Sequence, residues 1–102
     1  MDWYGYIAYF FAGGFLCNGI PHFVKGITGQ RFQSPFASPP GVGQSPAMIN
    51  VIWGMVNFGI AAVLFGVGDF DFGMTKSVLL AGVGFTLIAL FLASYFEKVN
   101  RG

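Results

Sequence analysis

An all-α integral membrane protein of three transmembrane helices is the fold class this sequence predicts, and two observations predict it. Only 9% of the residues are charged while 55% are hydrophobic, and a soluble domain normally carries roughly a quarter charged residues. A water-facing surface cannot be built from so few charges, whereas lipid tails favour apolar side chains and penalise charge. The second observation is where the charges fall. No Asp, Glu, Lys or Arg occurs between Asp2 and Lys25, between Arg31 and Asp69, or between Lys76 and Glu97. A span needs about 20 mostly apolar residues, so each interval holds one. The 102 residues make one unit.

The first interval predicts a helix over about 3–24. It lacks the basic leader and the small-residue cleavage site of a signal peptide, so it reads as a retained span. Pro21 removes a backbone donor and leaves the Cys17 carbonyl in want of another partner, an Asn amide or a water. The second interval is longer than a helix needs, and its front part, from Ser34 to Pro46, is rich in Pro, Ser and Gly. That part reads as loop, and the helix follows over 47–67. The third helix is expected over 77–96, ending where Glu97 and Lys98 begin.

Four of the five basic residues, Lys25, Arg31, Lys98 and Arg101, flank one membrane face; the other face has only Lys76 beside Asp69 and Asp71. The positive-inside rule then puts the N-terminus outside and the C-terminus in the cytoplasm. Trp3, Tyr4 and Tyr6 belong to the outer interface, and Tyr95 and Phe96 to the inner one. Phe70 and Phe72 are expected to dip into the outer interface while Asp69 and Asp71 face water.

Small residues let helices approach and polar ones bond across the contact. The first helix offers Gly5, Ala8, Ala12, Gly19 and His22, interrupted by Phe15. The second offers Asn50, Gly54, Asn57 and Ala61, and the third Gly82, Thr86, Ala89 and Ala93. The simplest expectation is a three-helix bundle with these stripes inward. The same residues also suit contact with another subunit.

Four polar residues fall at similar depth in the cytoplasmic leaflet: Asn18 and His22 on the first helix, Asn50 and Asn57 on the second. One reading is interhelical glue that fixes register. The other is a polar pocket lined by Asn18, His22, Asn50 and Asn57, with Trp53 as a wall. The long segment 26–46 is not composed as a passive linker, because Ile27, Phe32, Phe36 and Val42 favour burial. It is expected to fold back over the cytoplasmic mouth, as a lid or as a patch a partner recognises.

Several chemistries find no support. The net charge of +1 gives no field for nucleic acid. A single cysteine and a single histidine make no metal or haem site within one chain. Gly41-Val42-Gly43-Gln44-Ser45 has no preceding strand or following Lys, so it is no phosphate loop. Asp71-Phe72-Gly73 stands without any other kinase feature. No carboxylate lies within a span, which counts against a proton- or cation-coupled pump. No cofactor, metal or catalytic residue is therefore assigned.

The runs Asn18-Gly19-Ile20-Pro21-His22-Phe23, Ser34-Pro35-Phe36 and Asn50-Val51-Ile52-Trp53-Gly54 resemble small uncharacterised inner-membrane proteins of bacteria. The resemblance covers roughly the first sixty residues, and it implies that membrane and no particular activity. The first helix is also similar to that of the DoxX-like group, but that group has four spans, so nothing is carried over from it. The sequence thus favours a non-enzymatic accessory subunit docking on a larger respiratory or photosynthetic membrane complex. The alternatives are a homo-oligomeric channel or transporter with an Asn/His-lined path, and a protein that binds a quinone or other small molecule. The partners expected are membrane lipids and other membrane subunits or further copies of the chain.

Overall fold

The computed structural model describes residues 3–67 and 75–101, without the side chain of Arg101. The expectations for Asp69, Phe70, Asp71 and Phe72 lie outside the described residues. Three helices carry the fold: α1 (Trp3–Ile27), α2 (Ala47–Val67) and α3 (Thr75–Arg101). Each is long and apolar enough to cross a membrane. Between α1 and α2 a two-stranded antiparallel ribbon forms, β1 (Phe32–Gln33) and β2 (Gln44–Ser45), with Phe32 opposite Ser45.

α1 ends on Gly29. Its φ of +75° is left-handed, a conformation glycine adopts without the steric cost of a Cβ. The amide of Gln30 reaches back to the Lys25 carbonyl at 2.9 Å and that of Gly29 to the Gly26 carbonyl at 3.0 Å. This pair of bonds is a Schellman C-cap, which satisfies carbonyls the helix would otherwise leave bare. It turns the chain back towards the helices and starts the ribbon. α3 passes the end expected from its charges, because a change of solvent does not stop a helix whose backbone ladder is unbroken. The extra turn brings Asn100 up to the ribbon. The 44 Å long axis exceeds the roughly 30 Å of a hydrocarbon core.

The three helices do not close into a bundle. α1 lies in the middle and packs against both α2 and α3, while α2 and α3 make almost no contact with each other. α1 can serve two neighbours because its glycines occupy two faces. At Gly19 an added Cβ would stand 2.9 Å from the Gly54 carbonyl oxygen, and at Gly26 it would stand 2.7 Å from that of Ala47. These close approaches are to α2. At Gly13 a Cβ would collide with the Ala81 carbonyl, and at Gly84 with that of Phe10, which makes the contact with α3 backbone against backbone.

The expected stripes fare unequally. Gly5, Ala8, Ala12, Gly19 and His22 of α1 are all buried, and the buried residues of α2 are Asn50, Gly54, Asn57 and Ala61. On α3 the stripe of Gly82, Thr86, Ala89 and Ala93 is corrected. Gly82, Thr86 and Ala93 are exposed, Ala89 is half-buried, and a Cβ on Gly82 would meet nothing within 4 Å. The contact with α1 instead uses Ala81, Gly84, Phe85 and Ile88. Both faces of α3 carry small residues, so spacing alone cannot choose between them. The backbone of α1 at Phe10 and Gly13 makes the choice.

Candidate functional site: a capped cavity between the helices

The four polar residues form two rungs between α1 and α2. In the deeper rung Asn18 Nδ2 donates to Asn57 Oδ1 at 2.9 Å, and Asn57 Nδ2 donates to the Trp53 carbonyl at 2.8 Å. In the outer rung His22 Nδ1 stands 2.9 Å from Asn50 Oδ1. Asn50 Nδ2 faces three backbone carbonyls, those of Phe32 and Ser45 at 3.1 Å and of Pro46 at 3.3 Å. Those acceptors fix which way the amide points. Oδ1 must therefore face the histidine, and His22 Nδ1 must carry the proton. In the neutral ring Nε2 is then the acceptor. It has no partner among the described residues and is not sealed off, and the His22 ring lines the capped cavity. The bonds that Asn18 and Asn57 donate go to Asn57 Oδ1 and to the Trp53 carbonyl, and none among the described residues goes to the Cys17 carbonyl.

The segment 28–46 is a folded cap. Its ribbon is cross-linked by Ser34 Oγ and Ser45 Oγ at 2.6 Å, both side chains buried. Asn50 ties it to α1 and α2. α3 holds it through Tyr95, whose hydroxyl donates to the Gly41 carbonyl at 2.8 Å, and through Asn100, whose Oδ1 lies 2.6 Å from Gln33 Nε2. Gly41 has a φ of +75°, and a Cβ there would stand 2.7 Å from the Tyr95 hydroxyl. Of the four apolar residues of 26–46 expected to be buried, only Phe32 is, packed on His22 and Phe96 at ring-centre distances of 5.4 and 4.6 Å. Phe36 is exposed yet stands edge-on to Trp53 at 5.2 Å. Ile27 and Val42 are exposed.

Beneath the cap, walled by residues of α1, α2 and α3, lies a cavity of about 350 Å³. α1 contributes Asn18 and His22, α2 Trp53, and α3 Phe91, Leu92, Tyr95 and Phe96. Gln33 and Ser34 line it from the cap. Asn18, His22 and Trp53 thus line the space. Asn50 and Asn57 are fully buried behind them as rung partners. Gln33, Ser34 and Tyr95 were not legible as site residues: the strand that places Gln33 is two residues long, and Tyr95 reads as an interface aromatic.

A second hollow of about 260 Å³ adjoins the first and shares Asn18 with it. It runs along α1 past Phe15 and Phe11 and is closed on one side by Ile88 of α3. From His22 to Phe11 the path is about 16 Å at 1.5 Å per residue. Its upper end is polar and its lower end apolar, and Phe11 is exposed at the far end.

Among the described residues no three His, Cys, Asp or Glu side chains gather as metal ligands would. No protein family, no curated protein and no solved structure matches the chain.

Proposed function

We propose that this is a membrane-embedded binding protein for a lipid-dissolved amphiphile, holding a polar head under the cap and an apolar tail along α1. The observation that carries this reading is that the capped cavity and the apolar groove both border Asn18. Sites for small molecules are concave, mostly apolar, and set with a few placed polar groups. The three apolar helices support residence in a membrane, and the distribution of Lys and Arg supports a cytoplasmic cap; in a bacterium that membrane is the inner one. On this reading the protein binds without chemistry of its own.

The test is native mass spectrometry of protein extracted gently from its own membrane. The wild type is expected to carry a small organic molecule of constant mass. Leu92→Trp, which fills the cavity from α3, is expected to lose it. A wild type that emerges bare while still retaining phospholipid would sink the reading. The orientation has its own check. Ser38 is exposed in the cap, and a Ser38→Cys variant should react with an impermeant maleimide only after the cell is opened. Labelling of intact cells would place the cap outside.

A second reading, an accessory subunit docked on a larger membrane complex, has one observation in its favour. The outward face of α3 carries Gly82 and Thr86 in a shallow groove walled by Val78, Leu79, Val83 and Leu87, with Ala93 also exposed on that helix. Exposed small residues suit close approach by another helix. The same mass spectrum tests it, because a subunit leaves the membrane with its complex. A pore lined by the Asn/His stripe has the least support. Asn50 and Asn57 are fully buried and bonded within the chain.

A further inference from the structure

Resting on the binding reading above, we infer that the head group held under the cap is a hydroxylated aromatic ring, a phenol or quinol on an apolar tail, whose O–H donates to His22 Nε2. Three features of the cavity point to this class.

The first is the fixed tautomer. Asn50 Nδ2 shares its two hydrogens among three carbonyls, so its oxygen holds the His22 Nδ1 proton and Nε2 presents a lone pair. The ring is 4% exposed, and it does not turn over without breaking that bond. A ligand that matches a buried acceptor must bring a donor.

The second is Gln33. Its side chain is 3% exposed and lines the cavity, and one amide atom is bonded to Asn100 while the other, Oε1, is buried with no partner. Exchanging the amide's oxygen and nitrogen still leaves one atom over. Buried polar atoms are nearly always satisfied; Oε1 is sealed from the cavity as it stands, so it gains its partner from the head only when the Gln33 side chain turns towards it.

The third is the wall. Trp53, Phe91, Tyr95 and Phe96 surround the space with rings, and aromatic faces and edges stack on a planar aromatic guest at an energy beyond that of burial alone. No positive charge stands in the cavity to favour a phosphate, since the residues that line it include no Lys or Arg. A phospholipid head is therefore the wrong chemistry. The groove beyond Asn18 takes the tail.

The experiment compares three probes in lipid nanodiscs: 4-decylphenol, its methyl ether 4-decylanisole, and 4-decylcyclohexanol. The chain has one histidine, so ring ¹⁵N labelling gives a single pair of imidazole signals. Binding of 4-decylphenol should move the Nε2 signal and leave Nδ1 near its place. The phenol should bind about tenfold more tightly than the anisole, the worth of one buried hydrogen bond, and also more tightly than the cyclohexanol. In His22→Asn the amide can still donate to Asn50 but nothing replaces Nε2, so phenol and anisole should bind alike.

Equal binding of phenol and anisole by the wild type would overturn the donor assignment and leave the binding reading standing. Equal binding of phenol and cyclohexanol would overturn the aromatic head. Discrimination that survives in His22→Asn would move the acceptor away from Nε2. Failure of all three probes to bind, while the extracted protein still carries its own small molecule, overturns this class alone. A bare extracted protein overturns the binding reading as well.

Discussion

Asn50→Leu is expected to release the cap while leaving the three helices formed. The amide serves four partners, its oxygen facing His22 and its two hydrogens shared among the carbonyls of Phe32, Ser45 and Pro46, and it is fully buried. A single hydrogen bond between membrane helices averages only about 0.6 kcal/mol, because polar groups in the unfolded membrane state also find partners. Asn50 should exceed that. Leucine would leave His22 Nδ1–H buried without an acceptor and take a donor from cap carbonyls. Each group left unsatisfied costs about 1–3 kcal/mol. A net loss of about 3 kcal/mol would raise the population of open cap about a hundredfold. Trypsin reads this directly. Arg31 is exposed but precedes Phe32, which the ribbon buries, so the bond between them should resist in the wild type and be cut in Asn50→Leu. Asn50→Asp separates the two halves of the role. It keeps an acceptor for His22 but turns a carboxylate towards three carbonyls, so the cap should open although the rung to α1 remains. A wild-type rate of cleavage in Asn50→Leu would mean that Asn50 does not hold the cap.

The helices were legible in the sequence because charge is so costly in lipid that its absence marks a span. α2 begins and ends where that argument puts it, while α1 and α3 each continue beyond it. The polar rungs were legible for a related reason: an Asn in an apolar helix must find a partner, and two pairs at matching depth limit the choices. The cap was only half legible. Its apolar residues announced that it folds, yet its order depends on Ser34, Ser45, Gln33 and Asn100, far apart in the chain and brought together by the Schellman turn and the length of α3. The cavity was not legible as a shape. It exists because α2 and α3 stand apart on either side of α1, and that depends on which glycines of α1 meet which neighbour. No periodicity distinguishes Gly13 from Ala12 in that respect.

Gly84→Leu is expected to be among the most damaging single substitutions in the chain, and Gly82→Leu to be nearly silent in the isolated protein. The two positions are two residues apart on α3. A Cβ on Gly84 would collide with the Phe10 carbonyl, whereas a Cβ on Gly82 would meet nothing within 4 Å. The obstacle at Gly84 is backbone, which cannot rotate out of the way as a side chain can. Overpacking a well-packed contact costs typically about 1–3 kcal/mol, and a leucine against a carbonyl should reach at least the upper end. A surface substitution clear of such features stays within about 0.5 kcal/mol. Unfolding by SDS in mixed micelles, followed by circular dichroism, should show that contrast between the two variants. Equal damage would mean that α3 presents its other face to α1. The consequence for the site follows from Tyr95 and Asn100, which reach the cap from α3. If Gly84→Leu pushes α3 off α1, those anchors leave with it and retention of the small molecule should fall. Gly82→Leu should retain it. That variant then separates the two readings of function. If the outward face of α3 docks on a larger complex, Gly82→Leu will fold, keep its small molecule and lose the complex. If the chain acts alone, Gly82→Leu will be indistinguishable from the wild type in all three measurements.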